Sequence, residues 1–167
     1  ALRGRPGDAE LATPPVAGGA TDDVRETPRR RRAKVSVQAP TDLRPFAAVS
    51  GDHNPIHTSL AAARVAGLGS PIVHGMWLSA VAQRAVSEET GRTLTGWTAR
   101  FLAPVRPGDT VDITADRIGI ANGDEIVEVA ARVAGEVVLT ATGRLAPPRT
   151  AYVFPGQGIQ SRGMGME

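Results

Sequence analysis

The stretch GMWLSAVAQRAVSEET, Gly75 to Thr90, has the apolar spacing of a helix that is buried along one face. Its apolar residues recur at intervals of three and four positions, which is the repeat of an α-helix. They are Leu78, Val81, Ala82, Ala85 and Val86. Gly91 follows directly, and glycine is common just after the last turn of a helix. The spacing therefore predicts one long helix that ends at Gly91 and places one face in the core.

The segments around this helix change to the alternating pattern of β-strands. Strands are predicted within residues 93–105, within residues 109–118, and twice within residues 125–145, where the chain should turn at Gly135–Glu136. A first strand is possible at residues 33–39. One long helix with four or five antiparallel strands predicts an α+β fold in which the sheet wraps around the helix.

A second, shorter helix is predicted upstream of the long one. Asn54 is a good N-cap residue, and the proline that follows it suits the first position of a helix. We expect this helix to continue through SLAAARVA and to end at Gly67.

The composition is that of a soluble globular domain. A chain of 167 residues supports one domain with a core of its own. No apolar run approaches the ~20 residues of a membrane span, and no signal peptide is visible. The absence of cysteine excludes disulfides and thiolate metal sites, and a cytoplasmic location is expected.

The net charge of +2 comes from the amino-terminal segment. Residues 1–33 contain seven arginines and five acidic residues, whereas residues 34–167 contain twelve residues of each sign. The run from Arg29 to Arg32 has no aromatic neighbour in residues 1–33 to stack on bases, so nucleic-acid binding is not favoured. We therefore predict that residues 1–33 form a flexible, solvated linker whose removal leaves catalysis unchanged.

Three parts of the chain can be distinguished by composition. The linker of residues 1–33 is followed by a globular region at residues 34–146 and by a turn-rich and glycine-rich segment at residues 147–167. Because the chain begins without methionine and stops inside this last segment, we expect it to be part of a longer polypeptide.

All three histidines lie in one window of 22 residues, at His53, His57 and His74. Histidine is the usual proton acceptor near neutral pH, and Asp52 stands beside the first of them, so the window is predicted to carry proton chemistry. A metal site built from Asp52, His53 and His57 is the alternative. It lacks the HExxH arrangement and has Pro55 between the two histidines, so no metal is expected.

The motifs in this window resemble those of the MaoC-like dehydratases and R-specific enoyl hydratases. Their pattern is an aromatic residue, then Ser-Gly-Asp-x-Asn-Pro-(Ile/Leu)-His, and later a His-Gly pair at the start of a central helix. The matching positions are Phe46, Ser50, Gly51, Asp52, Asn54, Pro55, Ile56, His57, His74 and Gly75. Thr58-Ser59 departs from the acidic residue that many relatives carry there. The resemblance spans roughly residues 43–146 and implies the hot-dog fold.

The resemblance also implies roles in removing water from a 3-hydroxyacyl thioester. That reaction needs a base for the α-proton, an acid for the hydroxyl group and a donor to the enolate oxygen. His57 is assigned as the base and Asp52 as the group that handles the leaving hydroxyl. The assignment leaves open that both residues take part in each proton transfer. Apolar surroundings would favour the acid role of Asp52. The backbone N–H of Gly75, at the start of the helix, is assigned as the oxyanion donor.

Three further residues are assigned to the substrate-binding side of the site, and they are Asn54, His74 and Trp77. Asn54 is also expected to fix the turn between the two catalytic residues, and His74 to orient the start of the helix. His53 fills the variable position of the motif and is expected to face solvent.

The segment VFPGQGIQSRGMGM, residues 153–166, resembles the opening of a malonyl/palmitoyl transferase domain. A dehydratase followed by such a transferase is the domain order of fungal and actinobacterial type I fatty acid synthases. This order implies a substrate carried on the phosphopantetheine of acyl carrier protein and no cofactor for the domain itself. It also implies other synthase domains as partners, including a second hot-dog unit, in a large homo-oligomeric complex.

Two alternative functions remain open. A free-standing R-specific enoyl-CoA hydratase would use the same residues in reverse, but the transferase-like segment favours the synthase. A non-catalytic hot-dog scaffold would have no reason to keep both Asp52 and His57.

Overall fold

The structure is a computed structural model, and it describes residues 24–148. Its strands are β1 (Arg25–Gln38), β2 (Leu94–Phe101), β3 (Thr110–Ala121), β4 (Asp124–Val133) and β5 (Glu136–Leu145). Its helices are α1 (Arg44–Ser50), α2 (Leu60–Val65) and α3 (Gly75–Thr90), with a short 3₁₀ turn at Pro55–His57. Within this part of the chain, no helix is long and apolar enough to cross a membrane.

The five strands form one antiparallel sheet in the order β1-β3-β4-β5-β2. Helix α3 packs against one face of the sheet, and the two share a single hydrophobic core. The predicted α+β hot-dog fold, with a sheet around one long helix, is confirmed.

The long helix has the boundaries and the buried face that its spacing predicts. It begins at Gly75 and ends at Thr90, and the C-cap residue Gly91 has the left-handed φ of +62°. Four of the five predicted face residues are buried, and Val81 is partly buried. Ser79 is buried as well, and its Oγ accepts a hydrogen bond of 3.0 Å from Trp97 Nε1–H on β2. This bond satisfies two polar groups that the core would otherwise leave unpaired.

Strand β1 corrects the predicted boundary of the amino-terminal linker. The strand begins at Arg25, so residues 25–33 are not a flexible linker but the first nine residues of a 14-residue edge strand that pairs with β3. Three of their five arginines form ion pairs with acidic side chains of β3 and β4. Arg29 pairs with Glu128, Arg31 with Asp116, and Arg32 with Glu125. Sequence composition could not show this, because the neutralising acids lie about a hundred residues away along the chain.

Glu125 is the centre of a partly buried charge cluster. It is only 6% exposed, and it accepts hydrogen bonds from both Arg32 and Arg92. Burial raises the pKa of the Glu125 carboxyl, but Arg32 and then Arg92 lower it by more, so that this pKa lies below its ordinary value. Arg92 also donates to the carbonyl oxygens of Leu145 and Ala146. The cluster therefore joins β1, β4, the end of α3 and the end of β5.

The predicted helix from Asn54 to Gly67 is broken into two pieces. A 3₁₀ turn covers Pro55–His57, and α2 then begins after Ser59, whose Oγ accepts a hydrogen bond from the N–H of Ala62. Ser59 is thus a second N-cap inside the predicted helix, and it restarts the helix in a new direction. Helix α1 was not predicted.

The turn between β4 and β5 is at Ala134–Gly135, one residue earlier than predicted. The expected linker at residues 1–23 and the transferase-like segment at residues 153–166 lie outside the described residues.

Candidate active site

Helix α1 directly precedes the loop that carries Asp52. The helix ends at Ser50, and its C-cap residue Gly51 has a φ of +74°, a conformation that glycine adopts without strain. The next N–H, that of Asp52, donates to Ser50 Oγ at 3.2 Å. This reversal turns the Asp52 side chain back toward the start of α3.

The Asp52 carboxyl group is oriented by its own loop. Its Oδ1 accepts a hydrogen bond of 3.1 Å from the backbone N–H of Asn54. The Asn54 side chain in turn accepts a hydrogen bond of 3.2 Å from the N–H of Ile56, which opens the 3₁₀ turn. The capping role predicted for Asn54 is confirmed. The Asp52 side chain is 50% exposed, so this chain alone does not give it apolar surroundings.

The His57 ring is buried and its tautomer is fixed by one hydrogen bond. Nδ1–H donates to the carbonyl oxygen of Ile72 at 2.7 Å, since a carbonyl can only accept. In the neutral ring Nε2 is then an unprotonated acceptor, and it lies 3.6 Å from Asp52 Oδ2. At 3.6 Å the two atoms do not form a hydrogen bond with each other, but an unprotonated ring nitrogen and a carboxyl group are suited to general acid–base chemistry on a ligand that contacts both.

The start of α3 lies beside this pair, because His74, the residue before Gly75, hydrogen-bonds to the Asp52 backbone. Backbone N–H groups in the first turn of a helix have no carbonyl partner within it, and the helix dipole favours negative charge there. Gly75 is also sterically constrained, because a Cβ added to it would lie 3.2 Å from the ring of Phe101. The site therefore places a potential oxyanion donor next to Asp52 and His57.

An apolar cavity of about 340 Å³ opens at the same helix start. It is lined by Leu68, Ile72, Val73, Gly75, Leu78, Phe101, Leu102, Ala103, Pro104 and Val105. Phe101 and Leu102 remain half exposed, at 49% and 57%. The cavity can accept a hydrocarbon chain whose head group lies at Gly75.

His74 and Trp77 have less access to a ligand than the sequence suggested. His74 is 1% exposed, and its Nε2 lies 3.1 Å from the carbonyl oxygen of Asp52. This burial argues against the predicted direct contact of His74 with substrate. Trp77 is partly buried and packs against the core, and its contact with substrate stays a prediction. His53 is exposed, as expected.

A ligating atom from each of Asp52, His57 and His74 lies within 4.8 Å of the other two, a separation at which metal sites are found. The two imidazole rings are stacked, however, with centroids 3.7 Å apart and planes inclined by 24°. A metal ion lies close to the plane of each imidazole that binds it, and one ion cannot do so for two stacked rings. The ring geometry therefore does not suit a metal that uses both histidines.

Sequence reasoning missed the backbone carbonyl of Ile72 and the ring of Phe101. A carbonyl group carries no sequence signal, because every residue has one. The alternation of apolar residues along β2 does place Phe101 on the same face as Trp97, toward α3, and this signal could have identified it.

The fold and the Asp–His pair beside a helix start define a hot-dog protein of the hydratase and dehydratase class. The sequence matches the MaoC like domain over residues 20–138. The chain therefore belongs to the MaoC-like domain family.

Two curated relatives are subunits of fungal fatty acid synthases. The chain is 37% identical over 158 residues to the fatty acid synthase beta subunit stcK of Emericella nidulans. This alignment covers 91% of the chain and 8% of the relative. It is 35% identical over 140 residues to the fatty acid synthase subunit beta of Saccharomyces cerevisiae. This alignment covers 81% of the chain and 7% of the relative. The chain thus spans less than a tenth of the length of these relatives.

Solved structures of two hydratases share the fold. The R-hydratase PhaJ1 from Pseudomonas aeruginosa is 26% identical with a TM-score of 0.63, over 80% of this chain and 91% of that one. The (R)-hydratase from A. caviae is 22% identical with a TM-score of 0.65, over 75% of this chain and 98% of that one. At 22% identity, the second likeness shows the fold alone.

Proposed function

We propose that this domain dehydrates (3R)-3-hydroxyacyl thioesters, carried on acyl carrier protein, to trans-2-enoyl thioesters as part of a cytoplasmic multifunctional fatty acid synthase. The observation that carries the proposal is the bare Nε2 of His57, held 3.6 Å from the Asp52 carboxyl group beside the first N–H of α3. Membership of the MaoC-like family and the fungal synthase relatives support the same reaction.

In the proposed mechanism His57 Nε2 removes the α-proton of the thioester. The electron pair of that C–H bond moves onto the thioester oxygen, where the Gly75 N–H stabilises the enolate. The enolate then re-forms the carbonyl and makes the C=C bond while the β-hydroxyl leaves with a proton from Asp52. The products are the enoyl thioester and water. The proton on His57 then returns to Asp52 to complete the cycle, which requires the two side chains to approach more closely than the 3.6 Å that separates them.

The half-exposed carboxyl group of Asp52 supports a second hot-dog unit as a partner. Removing water from around Asp52 would favour its protonated form, which is the form that donates to the hydroxyl. Met76, Phe101 and Leu102 are large apolar residues that are 62%, 49% and 57% exposed, near the same helix start. A second unit covering these residues would enclose the substrate, with the cavity holding part of the acyl chain. No cofactor is needed beyond the phosphopantetheine that carries the substrate.

The test is turnover of thioesters of defined chirality and carrier. The purified chain is given 3-hydroxybutyryl thioesters of each configuration, on acyl carrier protein and on coenzyme A, and formation of the conjugated enoyl thioester is followed by its absorbance. We expect turnover of the 3R substrate only, with acyl carrier protein preferred. A preference for coenzyme A would favour the free-standing hydratase, to which the likeness to PhaJ1 points. If no thioester is turned over, even with a second unit supplied, the domain is a scaffold.

A further inference from the structure

His74 makes contacts that connect it to both members of the proposed catalytic pair. It is 1% exposed and immediately precedes the first residue of α3. Its Nε2 lies 3.1 Å from the backbone carbonyl oxygen of Asp52, so Nε2 carries the hydrogen and donates it. Its Nδ1 has no hydrogen-bond partner among residues 24–148. The ring therefore has one polar anchor, and that anchor is the backbone of Asp52.

The face of the same ring supports His57. The two imidazoles are stacked with centroids 3.7 Å apart, and Phe46 of α1 also contacts His74, with ring centroids 5.0 Å apart. The hydrogen bond from His57 Nδ1 to Ile72 fixes one atom of the His57 ring but still allows the ring plane to tilt about it. The stacked face of His74 removes this freedom. The direction of the His57 Nε2 lone pair is set by both contacts together.

We propose that His74 is a positioning residue, which fixes Asp52 through its ring N–H and His57 through its ring face. The inference rests on the proposed dehydratase function and deepens it. Because His74 is buried, it acts without touching the substrate. It sets the separation of the two catalytic side chains from each other and from Gly75.

Two substitutions separate the two contacts. His74→Gln keeps an N–H donor near the position of Nε2 but removes the aromatic face, whereas His74→Phe keeps the face but removes the donor. We expect each to lower kcat for the 3R-hydroxyacyl thioester by about 10- to 100-fold, as misplacement of catalytic groups does, while KM changes less than about twofold. The matched controls are His53→Gln and His53→Phe at the exposed histidine of the loop that carries Asp52, and both should retain wild-type kcat.

A double-mutant comparison distinguishes positioning from a general loss of structure. In the Asp52→Asn background, His74→Phe should lower activity little further. The Asp52 carboxyl group that the His74 N–H positions has already been removed in that background. An equal loss in both backgrounds would overturn the proposal, and so would a wild-type kcat in both His74 variants.

A measurement without substrate keeps this inference separate from the proposed function. With three histidines, the nitrogen-15 signals of the rings can be assigned from the His53 and His74 variants, since each variant removes the signals of one ring. We expect Nδ1–H for His57 and Nε2–H for His74 in the wild type, and a changed His57 signal in His74→Gln. If the chain lacks dehydratase activity but shows these spectra, only the proposed function fails. An Nδ1–H tautomer at His74, or an unchanged His57 signal in the variant, would overturn the positioning role.

Discussion

His57 and His74, whose rings are in contact, carry the ring hydrogen on different nitrogens. His57 donates from Nδ1 to the Ile72 carbonyl and leaves Nε2 free to accept a proton, whereas His74 donates from Nε2 to the Asp52 carbonyl. The difference arises only from which backbone carbonyl each ring meets. At the scale of single residues, the chemistry of this site is therefore controlled by backbone acceptors.

The first prediction concerns the catalytic pair. Asp52→Asn and His57→Ala should each lower kcat for a 3R-hydroxyacyl thioester by about 10²- to 10⁴-fold, because each removes a positioned acid or base. The melting temperature should stay close to that of the wild type for Asp52→Asn, since that side chain is half exposed. His53→Ala is the control. Near wild-type turnover in either variant of the pair would remove that residue from the mechanism.

The second prediction concerns the close approach at Gly75. Gly75→Ala should lower kcat/KM by about tenfold or more, because the added Cβ would lie 3.2 Å from the Phe101 ring and the ring or the helix start must shift. Adding Phe101→Ala should then restore part of the lost kcat/KM. If the double variant recovers nothing, the methyl group obstructs the thioester itself and not the aromatic ring.

The candidate site was predictable wherever a side chain carries the signal. The spacing of Asp52, His57 and Gly75 matches a specific motif, and the capping role of Asn54 follows from its side chain alone. The support of His57 by Ile72 was not predictable, because it is made by a backbone group 15 residues away in sequence. The stacking of His57 on His74 also depends on the three-dimensional path of the loop.

At the scale of elements, the charge cluster around Glu125 gives the third prediction. Glu125→Gln should lower the free energy of unfolding at neutral pH by about 2 to 3 kcal/mol, because Arg32 and Arg92 lose a buried charged partner. Arg29→Gln, which breaks an ion pair whose side chains are 62% and 50% exposed, is the control and should cost much less.

The stability lost in Glu125→Gln should depend on pH in a defined way. The pKa of Glu125 is lowered in the folded protein from an ordinary value of 4.5, so its contribution is present above pH 4.5 and is lost as the pH falls further, through the folded-state pKa. The free energy of unfolding, measured by denaturant titration at several pH values across this range, should fall less steeply with decreasing pH in Glu125→Gln than in the wild type. Parallel curves would show that other carboxyl groups control acid unfolding.

The fourth prediction concerns the turn between β4 and β5. Ala134 has a φ of +48°, whereas the equivalent position of the β3–β4 turn is Asn122, with a φ of +51°. Asparagine tolerates this left-handed conformation better than alanine, so Ala134→Asn should raise the free energy of unfolding by about 0.5 to 1 kcal/mol. Chemical denaturation measures the change, and Asn122→Ala should shift stability in the opposite direction. A loss of stability in Ala134→Asn would contradict the prediction.

The elements differ in how well the sequence predicted them. Helix α3 and the strands after it have strong periodicity, and they were found within a few residues of their observed bounds. The amino-terminal half of β1 was missed because PRRRR has no alternation, and its pairing depends on acidic residues of β3 and β4. The interrupted helix after Asn54 was missed because two good caps, Asn54 and Ser59, compete within six residues.

At the scale of the whole molecule, the exposed apolar residues near the cavity give the fifth prediction. Met76, Phe101 and Leu102 are too large and too exposed to be favourable in contact with water, and β2 is an edge strand of the described sheet. Sedimentation velocity should show this chain as a dimer or larger species at micromolar concentration, and Leu102→Lys should shift it toward monomer. A fully active monomer would contradict both the self-association and the need for a second unit.

The pairing of the strands has a consequence for how this unit can be combined with others during evolution. Arg25 pairs with Ile120, Ile120 with Glu125, and Glu125 with Leu145, so the first residue of β1 and the last residue of β5 lie in one row across the sheet. Three strand spacings separate them, a distance of about 14 Å. A unit that the chain enters and leaves at the same end can be inserted into a loop of another protein, or circularly permuted, with only a short connecting segment. The hot-dog unit is therefore suited to gene fusion, because joining it to new neighbours need not disturb its sheet.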